Sequence, residues 1–139
     1  MSDRMGVIVS DYERSKAFYA AALAPLGIAL VVEYPASVTG DTDVAGFGLR
    51  VGAIPLTSPE FWMSQGTPEV PLAHIAFRVS SREMVEAFYT AALAAGGRDN
   101  GAPGLRPYDH PEEYYAAFVL DLDGNNIEVV HQTLPSDNH

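Results

Sequence analysis

The sequence predicts an α+β fold made of two similar βαβββ modules. The first observation is an internal repeat: residues 9–27 read VSDYERSKAFYAAALAPLG, and residues 79–97 read VSSREMVEAFYTAALAAGG. The second is that each copy follows a short apolar run and precedes several short β-rich runs separated by turn residues. Two copies are too few for a repeat array, so we expect one domain over residues 1–139, with modules at 1–64 and 72–132.

Each half begins with a strand that leads into a helix. The strands are predicted at residues 5–9 and 75–79, where the apolar runs are too short for helices. A serine followed three residues later by a glutamate predicts a capping box at each helix start, at Ser10 with Glu13 and at Ser80 with Glu83. Apolar pairs four residues apart and several alanines continue both helices. Proline or glycine is expected to end them at residues 25–27 and 96–97.

The remaining strands are predicted from short β-rich runs that lie between turn residues. In the first half they are residues 28–33, 44–51 and 61–64, and in the second half residues 97–100, 114–120 and 127–131. Residues 121–125 read DLDGN, which predicts the turn of a hairpin. The segments 34–43 and 100–113 are rich in glycine, proline and aspartate and are predicted to be loops.

The composition excludes several classes of protein. No apolar run is long enough to span a membrane, the start of the chain lacks the pattern of a secretory signal, and a cytoplasmic location is expected. The chain has no cysteine, which excludes disulfides and thiolate metal sites. A formal charge of −10 with eight Lys and Arg argues against nucleic acid as a partner. The acidic surface favours cationic ligands weakly, and solubility explains it more simply.

Strand alternation points to a candidate site in the second half. Within residues 72–79, which include the strand predicted at 75–79, His74 and Arg78 fall on one face, while the bulky apolar residues fall on the other. A histidine and Glu128 on separate strands that face one concavity are suitable ligands for a divalent metal. The alternative is that His74 is a satisfied core histidine and that Arg78 pairs with Glu128.

Four further residues are weaker candidates. One member of the pair Tyr114 and Tyr115 must face the cavity side, where it would orient a ligand or donate a proton, although sheet packing explains both tyrosines. His110 lies in a predicted loop, so it is either a cavity lid or an exposed turn residue. Trp62, the single tryptophan, is either a cavity wall or part of the core.

Several of these segments resemble the vicinal oxygen chelate superfamily. They are the helix entry VSDYERSKAFY, the strand LAHIAFRV and the hairpin DLDGNNIEVV, within a resemblance that covers nearly the whole chain. This superfamily includes glyoxalase I, fosfomycin- and bleomycin-resistance proteins and extradiol dioxygenases. The resemblance implies two modules that curl around a central cavity with the helices outside. It also implies a homodimer that binds a small molecule and, if it is an enzyme, a lyase, isomerase or dioxygenase.

The metal ligands of this family carry over in one half of the chain only. His74 matches the ligand on a module's first strand, and Glu128 matches the ligand on its last strand. In the first half the repeat places Arg4 opposite His74, and an arginine has no lone pair for a metal. Alignment of the last strands places Trp62 opposite Glu128, which leaves Glu60 as the nearest oxygen donor.

Three outcomes remain open at this point. Zn, Ni, Mn or Fe binds through His74, Glu128 and Glu60; or Arg4 replaces the charge of the ion; or the cavity binds a small molecule without chemistry. The leading expectation is a divalent-metal or degenerate enzyme that acts on a small oxygenated substrate, and the alternative is a metal-free binding or sequestering protein. The expected catalytic residues are Glu128, Tyr115 and Tyr114, and the expected substrate contacts are Arg4, Arg78, Trp62 and His110.

Overall fold

The strands and helices follow the order that the repeat predicts. The computed structural model describes residues 5–52, 54–56, 58–68, 70–107 and 113–133. The first module contains β1 (Met5–Val9), α1 (Tyr12–Leu23), a 3-10 turn (Ala24–Leu26), β2 (Ile28–Tyr34), α2 (Ala36–Thr39), β3 (Val44–Val51), β4 (Ile54–Pro55) and β5 (Phe61–Gln65). The second contains β6 (His74–Arg78), α3 (Arg82–Ala94), β7 (Arg98–Asp99), β8 (Gly104–Arg106), β9 (Glu113–Leu120) and β10 (Asn126–Thr133).

Each module folds its strands into a mixed sheet of five. The first sheet has the order β1-β5-β3-β2, with β4 paired to β3, and the second has the order β6-β10-β9-β7, with β8 paired to β9. In both sheets the first and last long strands are parallel neighbours, and the other pairs are antiparallel. The α+β fold of two βαβββ modules is therefore confirmed, with two open sheets.

Three short elements are not predicted from the sequence: α2 and β8 lie inside the predicted loops at 34–43 and 100–113, and β4 lies in residues that the prediction assigns to no element. α2 and β4 lie between the long strands of the first module, and β8 lies between β7 and β9. Elements of two to four residues are too short for a period to be recognised in the sequence. The strand predicted at residues 97–100 is present as β7, over Arg98–Asp99.

The helices begin one residue later than the predicted capping boxes. Asp11 caps α1 by accepting from the Arg14 amide at 3.2 Å, and Ser81 caps α3 by accepting from the Met84 amide at 3.3 Å. The backbone is extended at Asp11 and at Ser81, as a cap requires, so the predicted caps Ser10 and Ser80 lie outside the helices. Within the described residues, no helix is both long and apolar enough to cross a membrane.

One core joins the two modules. Phe18 and Tyr19 of α1 and Phe88 of α3 are buried at 2 % exposure or less, and α1 packs against α3. The rings of Phe61 in β5 and Phe77 in β6 lie 5.7 Å apart, so each sheet contributes to the same cluster. Because the helices and the apolar faces of the sheets share this core, the opposite face of each sheet lies outside it.

Candidate functional site

Polar side chains gather on the face of the second sheet that is turned away from α3. Register fixes this arrangement, because Glu128 of β10 pairs with Ala76 of β6 on one side and with Phe118 of β9 on the other. Residues that pair across strands point to the same face of a sheet. We call this surface the open face, and its side chains include His74, Arg78, Tyr114, Phe118, Asn126, Glu128 and Gln132.

His74, Glu128 and Tyr114 form the centre of the open face. The Glu128 side chain is 5 % exposed, and its Oε1 lies 2.9 Å from Nε2 of His74, whose side chain is 55 % exposed. The Tyr114 hydroxyl donates a hydrogen bond to the other oxygen, Oε2. A buried carboxylate with a partner on each oxygen is held in one orientation. The prediction from strand alternation that His74 and Glu128 face together agrees with this geometry.

The two adjacent tyrosines lie on opposite faces of β9. Tyr114 faces Glu128, whereas the Tyr115 hydroxyl donates to Oε2 of Glu86 on α3 at 2.6 Å. This hydrogen bond to Glu86 raises the pKa of the Tyr115 phenol above its ordinary value. The guanidinium of Arg82 also lies 4.7 Å from the centre of the Tyr115 ring. The structure therefore does not bring Tyr115 to the open face, and of the two tyrosines Tyr114 belongs to the site.

Positive charge is concentrated on the open face of an otherwise acidic chain. Arg78, Arg98 and Arg106 pair in register with strand residues of this face, and His74 lies beside them. Among the described strand residues of the second sheet, Glu128 is the acidic side chain on this face, while the whole chain has a formal charge of −10. The local charge therefore favours an anionic ligand, in contrast to the cationic preference inferred from composition.

Two of these arginines have defined contacts. Arg78 donates to Oε1 of Gln132 at 3.0 Å, so the expected pairing of Arg78 with Glu128 is replaced by that of His74 with Glu128. The Arg106 guanidinium lies 5.3 Å from the centre of the Phe118 ring, and Phe118 in turn lies 6.3 Å from the His74 ring. Sequence reasoning missed Arg106 because its strand, β8, is only three residues long.

In the first module an indole, and not a carboxylate, occupies the position equivalent to Glu128. Trp62 of β5 pairs with Gly6 of β1, as Glu128 pairs with Ala76, so the alignment of Trp62 with Glu128 is correct in register. Trp62 lines a cavity of about 770 Å³ whose lining residues all come from the first module. Glu60 lines a different cavity, of about 320 Å³, together with Arg78.

Only part of a metal ligand set is present among the described residues. His74 and Glu128 fit as two ligands, because neighbouring ligands of one octahedral ion lie about 3 Å apart. No group of three or more His, Asp or Glu suited to a metal occurs in the described ranges, so Glu60 does not complete the set. Arg4 and His110, which the sequence suggested as substrate contacts, lie outside the described residues.

The two-module fold, with a histidine and a glutamate on the first and last strands of one module, is that of the vicinal oxygen chelate class. The chain belongs to the Glyoxalase/Bleomycin resistance protein/Dioxygenase superfamily, whose family model matches residues 2–129.

Solved structures agree with this assignment. A glyoxalase/bleomycin resistance protein from Albidiferax ferrireducens is similar at 28 % identity and a TM-score of 0.65, over 94 % of this chain and 98 % of that one. The fosfomycin resistance protein FosX from Listeria monocytogenes shares the fold at 17 % identity and a TM-score of 0.65, over 99 % and 97 % of the chains. A glyoxalase I mutant from Zea mays matches at 24 % identity and a TM-score of 0.63, over 91 % of this chain and 46 % of that one. No match was found among curated proteins.

Proposed function

We propose that this chain is an enzyme that acts on a small oxygenated, anionic substrate bound to the open face. The observation that carries the proposal is the Glu128 carboxylate, which is buried and held between His74 and Tyr114. A fixed carboxylate at the floor of a polar surface is suited to accept a proton from a substrate or to ligate a metal.

Glu128 retains room for a substrate. An ionised carboxylate has about four lone-pair sites, and His74 and Tyr114 engage one on each oxygen. His74 covers Glu128 from the solvent side and is itself more than half exposed, so a substrate that moves the imidazole reaches the carboxylate. Glu128 would then receive the substrate proton, and the Tyr114 hydroxyl would stabilise the carboxylate before the transfer.

The arginines of the open face suggest the substrate class. Arg78 and Arg106 lie on the same face as Glu128. Arg106 donates to the carbonyls of Gly104 and Ala102, whereas Arg78 donates to Gln132 through Nη1, and the planar fork of an arginine matches a carboxylate or a phosphonate. Arg78 pairs with Val130, two residues from Glu128, so an anionic group held by Arg78 would leave the other oxygenated end of a small molecule close to Glu128. The substrate class is thus a small molecule with one anionic group and one further oxygen.

A divalent ion would be held by His74 and Glu128, with its other ligands from outside the described residues. Bound there, it would act as a Lewis acid that polarises a substrate oxygen. The role of Tyr114 changes in that case, because its hydroxyl would orient the carboxylate that ligates the ion.

A metal-free binding protein is the second candidate. It is favoured by the first module, where Trp62 occupies the position equivalent to Glu128 and removes one oxygen ligand from the family's set. Such a protein would sequester a small molecule and leave it unchanged.

The proposal also includes assembly of the chain into a homodimer and a cytoplasmic location. Superfamily members often form oligomers, and a second copy would supply donors that one chain lacks. Light scattering coupled to gel filtration would report a mass near twice 14.9 kDa, and a monomer at all concentrations contradicts this part.

Metal analysis and ligand screening together test the proposal. Protein purified without a tag is analysed for Zn, Ni, Mn and Fe, and then screened by proton NMR against small 2-oxo acids, 2-hydroxy acids and phosphonates. Each acid is paired with its neutral amide. We expect conversion of at least one acid by the wild type, no conversion of its amide, and loss of conversion in Glu128→Gln.

Glu113→Gln is the matched control, because Glu113 lies on β9 but pairs with Arg82 of α3 at 2.7 Å. It should convert the same acid as the wild type. Stoichiometric metal that disappears in Glu128→Gln supports the metal-dependent form. Acids that bind without being converted support the binding protein instead. If Glu128→Gln binds and converts the acids as the wild type does, the assignment of Glu128 to the site is wrong.

A further inference from the structure

The cavity of about 320 Å³ between the two modules adjoins the open face at Arg78. On the basis of the function proposed above, we infer that this junction cavity holds the apolar chain of the anionic substrate, whose head group lies on the open face. The volume is at the lower end of the range for ligand pockets, which suits a short alkyl chain. The apolar lining includes Leu26, Ile28 and Leu49 from the first module and Phe77, Val79 and Met84 from the second.

The junction cavity lies along the free edge of β6. In the second sheet β6 is the terminal strand, and its one partner among the described strands is β10. The consecutive residues Ala76, Phe77 and Arg78 all line the cavity, although neighbouring residues of a strand point to opposite faces. A cavity that touches both faces of one strand passes around its edge. The junction cavity therefore connects the core side of the second sheet with the open face.

Ala76 links the junction cavity to the carboxylate of the site. It lines the cavity and is also the register partner of Glu128 on β10. Its side chain is a single exposed methyl group, so it leaves a path across the strand. A ligand with its oxygenated end near Glu128 can therefore extend its chain over Ala76 into the cavity.

Arg78 favours an anionic head group at the mouth of the cavity. An arginine has several N–H donors, and the contact of Arg78 with Gln132 at 3.0 Å uses a single one of them, on Nη1. The backbone of β6 adds further donors. The Val79 amide donates to the Val130 carbonyl at 2.8 Å, so in this parallel pair the amides of Ala76 and Arg78 point away from β10, toward the free edge.

The inner end of the junction cavity is apolar and shielded from water. Leu26, Ile28 and Phe77, which line it, are each 5 % exposed. Each methylene group that leaves water for such a surface should raise the affinity about two- to fourfold. An acid with a longer chain should therefore bind more tightly until the cavity is filled.

A homologous series of acids tests this inference. The full chain is titrated with 2-oxobutanoate, 2-oxohexanoate and 2-oxooctanoate by isothermal calorimetry at two temperatures. We expect the affinity to rise about four- to sixteenfold from 2-oxobutanoate to 2-oxohexanoate, which adds two methylenes. The heat-capacity change of binding should become more negative as the chain lengthens, because more apolar surface is buried.

Hexylammonium tests the charge of the head group, because Glu60 lines the junction cavity as well as Arg78. It carries a comparable chain with the opposite charge. Since Arg78 is the charged residue that the cavity shares with the open face, hexylammonium should bind roughly tenfold more weakly than 2-oxohexanoate.

Two variants separate the chain from the head group. Met84→Gln keeps the length of the side chain and places a polar amide in the cavity, so it should reduce the gain in affinity per methylene. Arg78→Gln should weaken the three acids by a similar factor and keep the gain per methylene of the wild type. Leu105→Gln is the matched control, because Leu105 is 53 % exposed and lies outside the cavity lining. It should bind all three acids as the wild type does, and circular dichroism confirms that each variant is folded.

Three results would overturn the inference: affinity that does not depend on chain length, tighter binding of hexylammonium than of 2-oxohexanoate, or a wild-type gain per methylene in Met84→Gln. A dimer that takes 2-oxooctanoate only after dilution to the monomer would also overturn it, since a second copy of the chain is then the occupant. The proposed function fails in a different way. Acids that bind according to chain length without being converted support the junction cavity and refute the enzyme, whereas conversion that depends on Glu128 but not on chain length refutes the cavity alone.

Discussion

The Tyr19 hydroxyl on α1 donates a hydrogen bond to Oδ2 of Asp121, in the hairpin between β9 and β10. Asp121 is 1 % exposed and also accepts from the backbone amides of Asp123 and Asn125 at 2.9 and 2.8 Å. The contact therefore ties the helix of the first module to the hairpin of the second.

Replacing Tyr19 by phenylalanine should destabilise the fold by about 1–3 kcal/mol, because a buried charged acceptor loses a donor. Urea unfolding followed by circular dichroism measures this loss. Tyr89→Phe is the matched control, since Tyr89 is the repeat equivalent of Tyr19 and bonds to Asp99 at a more exposed site. A larger loss in Tyr89→Phe than in Tyr19→Phe would contradict the assigned role.

Stability should decrease at alkaline pH, partly through Tyr19. Burial, followed by the charge of Asp121, raises the pKa of the Tyr19 phenol well above 10.0. Above pH 10 the unfolded chain loses this proton while the folded chain keeps it, so the unfolded state is favoured as pH rises toward the folded pKa. The unfolding free energy of Tyr19→Phe should thus decrease less steeply between pH 9 and 11 (about one unit on either side of the ordinary phenol pKa) than that of the wild type. Parallel slopes for the two proteins would refute the effect.

Alanine at Gly97 should destabilise the protein by about 1–3 kcal/mol through overpacking. A Cβ atom there would lie 2.6 Å from Cγ1 of Val119, 2.9 Å from Cε1 of Phe18 and 3.0 Å from the Ala92 carbonyl oxygen. Gly104→Ala is the control, because its nearest neighbour is the movable end of Arg106 at 3.3 Å. Thermal unfolding should separate the two variants, and similar melting temperatures would show that the core near Gly97 yields easily.

The adjacent serines before α3 should differ in their effect on stability. Ser81→Ala removes the cap that accepts from Met84 and should cost about 1 kcal/mol. Ser80→Ala removes only a weak 3.4 Å contact to the Met84 sulfur and should cost much less. Urea midpoints of the two variants test the order, and the reverse order would support the capping box that the sequence suggests.

The sequence predicts the fold well because the repeat and the strand periods are local signals. Alternation within each strand leads to the expectation that His74 and Glu128 face one concavity, and the β6–β10 register places both on one face. Equivalent residues of the repeat are needed for different reasons in the two halves. Gly27 has a φ of 77°, a conformation that favours glycine, whereas a side chain at Gly97 would collide with its neighbours.

The rest of the site depends on information that local patterns lack. Tyr114 and Tyr115 have the same chemistry, and only the β9–β10 register decides which one meets Glu128. Arg106 lies on a strand of three residues, and its approach to Phe118 comes from the folded sheet. The position of Glu60 depends equally on how the two sheets meet.

Equivalent strand pairs of the two modules place their large side chain on different strands, which restricts the substitutions that this chain tolerates. Glu128 pairs with the large Phe118, whereas Trp62 pairs with Gly46. Trp62→Glu alone would leave a carboxylate beside an empty space, and Gly46→Phe alone would collide with the indole. The two positions are therefore coupled in one direction: a side chain at position 46 is excluded for as long as the indole of Trp62 is present.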